Sequence, residues 1–171
     1  MICTIHTVAE AETIFAQVVD SAARTAAWLR SFDAEPMALL KALRFEMVGH
    51  NPLTGDPLNV VEQLNQTFTI LVTLRAIERL IELHPEAGGF RLALGTSSGR
   101  TSKTLYRPWL LPRSSLPHIR RATRMLKNDL ARLAGDPARH RYVFFAAPGY
   151  AAGQQASLQT VPGVQVHAVE L

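Results

Sequence analysis

The sequence predicts a single α/β domain over residues 1–171, and three observations lead to that prediction. The length of 171 residues suits one domain. An apolar share of 47% is enough for a sizeable core. Helical patterns fill the first half of the chain, whereas the two clearest strand patterns lie in its last third. We therefore expect an N-terminal helical part in 1–48 and, in 57–171, a small mixed sheet flanked by helices.

Two helices are predicted to open the chain. Residues 8–31 are rich in Ala and repeat apolar side chains at a spacing of four, which predicts the first helix. Pro36 suits the first turn of a second helix. The apolar set of that second helix comprises Met37, Leu39, Leu40, Leu43 and Phe45. A loop over residues 49–57 follows, indicated by its density of Gly, Pro, Asn and Asp.

The longest predicted helix covers residues 57–84 and is expected to be central. Asp56 followed by Pro57 predicts its N-cap and first turn. Its apolar residues form two lines, the first of Val61, Leu64, Phe68 and Leu71 and the second of Ile70, Leu74, Ile77 and Ile81. Together the two lines make a wide apolar face, which predicts contacts on more than one side.

Strand patterns follow the central helix. Residues 90–95 alternate after a Gly pair, 142–147 form a buried apolar run, and 164–169 alternate again. A further helix is expected over 119–134, closed by Gly135. Residues 101–118 leave a gap where such a fold would supply one or two more strands.

Cysteine content and hydropathy narrow the class of protein. Cys3 is the single cysteine, so the chain has no internal disulfide and no cysteine-based zinc site. The N-terminal residues do not follow the pattern of a signal peptide. Charged residues interrupt the most apolar helical stretch, which argues against a membrane span. We expect a cytoplasmic protein without a membrane partner, and the sequence leaves its oligomeric state open, a homodimer included.

The positive charge of the chain is confined to one interval. The formal net charge is +4, yet residues 87–128 contain no Asp or Glu and hold nine of the eighteen Lys and Arg residues. The remaining residues carry nine basic and fourteen acidic side chains, a formal charge of −5. We call residues 87–128 the basic interval. Such an interval usually indicates contact with a polyanion such as DNA or RNA, but its charge counts as evidence for that partner only if its residues are translated in the native frame.

Residues 101–124, which read TSKTLYRPWLLPRSSLPHIRRATR, differ from the rest of the chain in composition and pattern. They contain three prolines and six basic residues and keep no helical or strand periodicity for long. A first interpretation is a nucleic-acid-binding loop, in which Tyr106 and Trp109 stack on bases. A second is a solvated irregular loop, although a loop of this length is uncommon inside a compact domain.

A third interpretation is that residues 101–124 are translated out of frame. Runs rich in Pro, Arg and Ser are common products of a shifted frame in GC-rich coding sequence. After a one-base shift, the codons of residues 101–104 can encode Asp-Ile-Glu-Asp, and those of 112–116 can encode Glu-Val-Phe-Ala. The shifted frame would restore an acid directly after a strand, and an apolar run that carries a second acid.

With that segment repaired, the chain resembles the restriction-endonuclease-like, or PD-(D/E)XK, superfold, and within it a bacterial group. The matching stretches are GHNPLTGDPLN, EQLNQTF, FRLALGTSSGR, KNDLARL and HRYVFFAAPGY, which span most of residues 49–150. The resemblance implies a helix Glu followed by a β-hairpin with two further acids. In that superfold these carboxylates hold Mg²⁺ for phosphodiester hydrolysis, and hard oxygen ligands suit this ion.

The chain departs from that pattern where the metal site would lie. Thr101 occupies the position of the strand-end Asp, and the second acid falls near Arg113. The resemblance implies an endonuclease that, as written, lacks two of its carboxylates. The alternative is a non-catalytic α/β domain that binds nucleic acid or a protein.

Glu62 is the residue that carries over directly, as the helix carboxylate and as a ligand of Mg²⁺. The sequence also places Glu62, Gln66, Thr69 and Thr73 on one helical face with Asn65 alongside, which predicts either a site wall or a solvent-facing stripe. We take Glu62 and Gln66 as the catalytic candidates. The nucleic-acid-binding candidates are Arg100, Lys103, Arg120, Arg121 and Arg141.

Overall fold

Helices cover both faces of a small sheet in the folded chain. The computed structural model describes the backbone of residues 2–93, 108–110 and 126–171, and the side chains of residues 3–90 and 126–171. Strand β1 spans Ile2–Ile5 and is followed by helix α1 over Val8–Ser31. The Thr7 side chain caps α1 by accepting a hydrogen bond from the Glu10 amide at 3.2 Å. The helix predicted over residues 8–31 is confirmed.

Helix α2 spans Pro36–Phe45, as predicted, but it lies largely in solvent. Ala42 is its buried residue, whereas Met37 is 62%, Leu40 57% and Phe45 75% exposed. The other two apolar residues of the predicted set, Leu39 and Leu43, are half-buried. The predicted apolar set is therefore covered on the side of Leu39, Ala42 and Leu43 and exposed on the other.

The predicted loop after α2 contains a short β-hairpin, and this shifts the start of the next helix. Strands β2, Gly49–His50, and β3, Pro57–Leu58, pair antiparallel. Helix α3 spans Val60–Leu83, and the Asn59 side chain caps it by accepting from the Glu62 amide at 2.9 Å. The prediction of Asp56 as N-cap was wrong, because Pro57 pairs as a strand and Asp56 instead accepts from the Thr54 hydroxyl.

Burial on α3 follows the second predicted apolar line. Ile70, Leu74 and Ile77 are buried as expected. The first line was wrong at its start, since Val61 is 39% and Leu64 50% exposed. The N-terminal half of α3 instead buries two polar residues, Gln63 and Thr67. Gln63 is buried there because it faces polar groups of α1 and β2.

The remaining elements form two further sheets and one helix. After a 3-10 turn at Pro85–Ala87, strand β4, Phe90–Ala93, pairs antiparallel with β1. Strand β5, Pro108–Leu110, runs parallel to β6, Arg141–Ala146, which runs parallel to β8, Val164–Ala168. Strand β7, Gly153–Gln154, joins β8 antiparallel, so the order is β5-β6-β8-β7. The sheet is mixed, as predicted, and residues 126–134 form helix α4.

Strand β5 lies inside the segment with the unusual composition. It places one short strand in the gap that the sequence left at residues 101–118. Apart from 108–110, residues 101–124 lie outside the described part of the chain, so the three interpretations of this segment stay predictions. Residues 94–95 and 119–125 of the predicted strand and helix also lie outside it.

Strand β6 is buried on both faces, because different helices cover them. Tyr142, Phe144 and Ala146 pack with α1 and α3, whereas Val143 and Phe145 pack with α4 and β8. Such a strand has a continuous apolar sequence rather than an alternating one, which explains the run over 142–147. In the ranges that the structure describes, no helix is long and apolar enough to cross a membrane.

Candidate functional site

Gln63 is the centre of a buried polar network between α1, α3 and β2. Its Nε2 donates to the carbonyl oxygen and to Oγ of Ser21, both at 3.2 Å. Its Oε1 accepts from Thr25 Oγ1 at 2.6 Å and from the His50 amide at 2.9 Å. Every polar atom of the Gln63 amide is thus satisfied, so the network holds these elements together.

Glu62 and Gln66, the predicted catalytic pair, contact each other one helical turn apart. Gln66 Nε2 donates to Glu62 Oε1 at 3.2 Å, and Gln66 Oε1 accepts from Asn51 Nδ2 at 3.2 Å. Asn51 Oδ1 in turn accepts from the amides of Leu53 and Thr54 at 3.0 and 3.1 Å. The structure therefore brings the two residues together, and joins them to the loop of the β2–β3 hairpin.

The predicted polar face of α3 does not act as one wall. Glu62 and Gln66 are half-buried and Thr73 is buried, whereas Asn65 and Thr69 are exposed. Thr69 and Thr73 each donate to the backbone carbonyl four residues earlier, at 2.8 and 2.7 Å. These two hydroxyls are therefore used within the helix itself.

Glu62 alone does not make a magnesium site. Mg²⁺ needs several oxygen ligands in an octahedron, commonly with one or two carboxylates from the protein. Among the side chains that the structure describes, no group of three His, Cys, Asp or Glu residues could hold a metal. Asn51 and Gln66 add amide oxygens that already accept hydrogen bonds. The residues that the structure describes do not fit Mg²⁺, and no hydrolytic step follows from them.

A second constellation lies where the C-terminal end of α3 meets the start of β6. His84 Nε2 is 2.7 Å from the Tyr142 hydroxyl, and His84 Nδ1 is 3.3 Å from Glu86 Oε1. The His140 ring lies against the His84 ring with centroids 4.5 Å apart. When Glu86 is ionised, His84 Nδ1 must donate to it, so in the neutral imidazole Nε2 accepts from Tyr142.

We call His84, Glu86 and Tyr142 the His84 relay. The pKa shifts of Glu86 and Tyr142 are consistent with this assignment of the protons. A hydrogen bond from its own backbone amide, then one from His84, lowers the pKa of Glu86. Burial, and then the charge of Glu86, raises the pKa of Tyr142, which keeps the phenol protonated as a donor. Tyr142 is only 3% exposed. The relay therefore ties the 3-10 turn to the sheet rather than presenting the phenol to a substrate.

Arg141 is the one nucleic-acid-binding candidate within the described side chains. Its Nη1 donates to the carbonyl oxygens of Leu133 and Ala134, both at 3.1 Å, and its Nη2 donates to Pro162 at 3.4 Å. These bonds cap the C-terminal end of α4, where a cation is favourable. Arg100, Lys103, Arg120 and Arg121 lie outside the described residues.

Sequence reasoning missed Gln63, Glu86 and Tyr142 as members of polar networks. Gln63 lay between two residues of the predicted apolar face, and its partners come from α1 and β2. His84 and Tyr142 are separated by 58 positions, so no local spacing links them. A usable signal existed in Tyr142 itself, since a tyrosine inside a buried strand needs a partner for its hydroxyl.

Comparisons of this chain with protein-family models, with curated proteins and with solved structures find no match.

Proposed function

We propose that this chain is a nucleic-acid-binding domain of the nuclease-like type, whose metal site is impaired in the sequence as written. The observation that supports the proposal most is the separation of charge. Nine Lys and Arg residues without one acid fall in the basic interval, whereas the rest of the chain has a formal charge of −5. A polyanion would be attracted to the interval and repelled by the remainder.

The architecture supports this use of the basic interval. The interval includes β4, which pairs with β1, and β5, which lies at the end of the order β5-β6-β8-β7. It also includes the first described residues of α4, where Leu126 packs against the sheet. The interval is thus joined to the core at three places, and a nucleic acid bound by it would lie beside the sheet.

Binding and its salt dependence test the first part of the proposal. Fluorescence anisotropy with labelled DNA and RNA oligonucleotides in EDTA should show binding whose affinity falls steeply as salt rises, because counterions are released from the phosphates. Absent binding, or binding that salt does not change, contradicts nucleic acid as the partner. Salt-independent binding of a protein would instead favour the protein-binding alternative.

Hydrolysis is the second candidate function, and the pair of Glu62 and Gln66 favours it. The resemblance to PD-(D/E)XK nucleases implies a helix carboxylate, and Glu62 is half-buried and accepts a hydrogen bond from Gln66. The missing acids would have to come from residues 94–125, which contain none as written. The coding DNA across codons 95–126 tests this directly, since a shifted frame without an apolar run and two acids removes the argument.

A plasmid-nicking assay with Mg²⁺ separates the two functions. We expect the chain as written to leave supercoiled plasmid intact, and the reframed chain to nick it only when Mg²⁺ is present. The Glu62→Gln variant of the reframed chain should lose nicking. If the reframed chain does not nick with Mg²⁺, the nuclease function is wrong, and only binding by the chain as written remains.

A further inference from the structure

Helix α2 has two sides with different surroundings. Leu39, Ala42 and Leu43 lie on its inner side, where they are buried or half-buried. The opposite side repeats at the helical spacing i, i+3, i+4 and i+7, which places four exposed residues in one row, Met37, Leu40, Lys41 and Arg44. We call these four residues the outer face of α2. Because they share one side of a short helix, they form a single surface.

The outer face of α2 is apolar at its middle, and more apolar surface lies at its C-terminal end. Met37 is 62% and Leu40 57% exposed. Phe45 and Met47, at the end of the helix and just beyond it, are 75% and 64% exposed. Single exposed apolar residues are common, but a group of them beside one another is typical of an interaction site. The residues that the structure describes leave this surface uncovered.

Charges of opposite sign lie at the two ends of the outer face. Asp33 and Glu35 precede the first helical residue, whereas Lys41 and Arg44 lie in the second half of the helix, and all four are exposed. Within the described part of the chain, none of the four forms an ion pair. Glu46 is a further acid, but it lies beyond the last helical residue. The surface therefore has an acidic end, an apolar middle and a basic end.

This order of charge complements a second copy of the same surface turned end to end. In an antiparallel pair of α2 helices around a two-fold axis, Met37 of each copy can meet Leu40 of the other. The same register directs Asp33 towards Arg44 of the other copy, and brings Glu35 to within one helical turn of Lys41. Both ends of the pair then join acids to bases. An anionic membrane would attract the basic end but repel the acidic one, so a second copy fits better.

We propose that the chain forms a symmetric dimer through the outer face of α2, with Phe45 and Met47 packing beside the helix pair. A helix of ten residues is about 15 Å long. Two such helices bury less than the roughly 1,600 Å² of a standard stable interface, so the dimer is weak, with a Kd on the order of 10–100 μM. This dimer depends neither on the nucleic-acid-binding function nor on residues 101–124.

Sedimentation velocity of the full chain, freed of nucleic acid, tests the association between about 1 and 300 μM. We expect the weight-average mass to rise over this range from that of one chain towards that of two. Leu40→Gln should raise the Kd at least about tenfold, because the two-fold axis makes each substitution count twice. Val19→Gln is the matched control and should leave the Kd unchanged, since Val19 is 49% exposed on α1.

Charge reversal tests the antiparallel register. Arg44→Glu alone, or Asp33→Arg alone, should weaken the dimer, because each places like charges opposite one another. The two substitutions together in one chain should return the Kd to within about threefold of the original value, since acid and base then exchange places. Circular dichroism of each variant checks that the helices are kept.

Several outcomes overturn the proposal. A chain that stays monomeric over the whole range is one of them. A dimer that Leu40→Gln and Val19→Gln affect equally has its interface elsewhere. A dimer that neither single charge reversal weakens, or that the double reversal does not restore, is not the antiparallel pair of α2 helices. A monomeric chain that binds vesicles of anionic lipid, and loses this binding in Leu40→Gln, assigns the outer face to a membrane instead.

Discussion

Gly49 shows how one missing side chain fixes the position of a hairpin. A Cβ built at residue 49 would lie 2.5 Å from Gln63 Oε1 and 3.2 Å from the backbone oxygen of Leu58. Oε1 is the atom that accepts from Thr25 and from the His50 amide. Close packing of β2 on the Gln63 network therefore requires glycine here.

We accordingly expect Gly49→Ala to lower the free energy of unfolding by about 2–4 kcal/mol, because it displaces a buried hydrogen-bonded amide. Gly135→Ala is the matched control, since a Cβ there meets nothing within 4 Å and the backbone is not in the left-handed region. That control should be neutral, or stabilising by about 0.5 kcal/mol. Urea denaturation of both variants measures the difference. Equal effects would mean that the Gln63 network does not constrain β2.

His167 predicts a pH dependence of stability with a definite sign. Its pKa is lowered below the ordinary value of 6.5, first by burial and then by Arg79. The unfolded chain therefore takes up a proton at higher pH than the folded chain does. The contribution of neutral His167 is present above pH 6.5 and is lost as pH falls below it.

The free energy of unfolding should thus decrease between about pH 7 and pH 5, with a His167 share of at most about 1.4 kcal/mol per pH unit. In His167→Phe the decrease should be shallower by that share. Tyr142 and Gln165 also face the ring, but neither changes charge in this range, and Arg79 is the cation that lowers the pKa of His167. An unchanged slope in the variant would mean that the folded chain protonates His167 as readily as the unfolded chain.

Helix α3 shows what the sequence could and could not predict about an element. Its second apolar line, and its end near Pro85, follow from local signals that the folded chain keeps. The start of α3 could not be predicted from local signals, because Asp56–Pro57 and Asn59 with Glu62 are both valid start signals. The choice depends on the pairing of Pro57 with His50, a contact that depends on how the loop folds. The polar contacts of Gln63 and His84 also join residues that are far apart in the sequence, so local signals could not predict them either.

The N-cap of α3 can be tested with a matched pair of substitutions. Asn59→Ala should cost about 1 kcal/mol in the free energy of unfolding, since it removes the acceptor for the Glu62 amide. Asp56→Ala should cost less than about 0.5 kcal/mol, because it loses only the exposed contact with the Thr54 hydroxyl. Thermal or urea unfolding gives both values. A larger loss of stability for Asp56→Ala would mean that Asp56, as predicted from the sequence, is the N-cap of α3.

At the scale of the whole molecule, the charge distribution and the sheet combine in one expectation. The basic interval adjoins an edge of the sheet through β5, and the remaining chain has a formal charge of −5. Removing two cations from the basic interval should therefore weaken nucleic-acid binding more than removing two cations from outside it, although the change in net charge is identical. Total charge alone predicts no difference.

The double variant Arg120→Ala with Arg121→Ala should weaken oligonucleotide binding and reduce the slope of log K against log salt by about 2, if both side chains contact phosphates. The control is Arg24→Ala with Arg30→Ala on α1, two exposed arginines outside the interval. It should leave the slope unchanged and lower affinity only slightly, through the long-range field. Anisotropy titrations at several salt concentrations give both slopes. If both double variants reduce the slope of log K against log salt by the same amount, binding depends on net charge rather than on the basic interval, and the proposed interface is wrong.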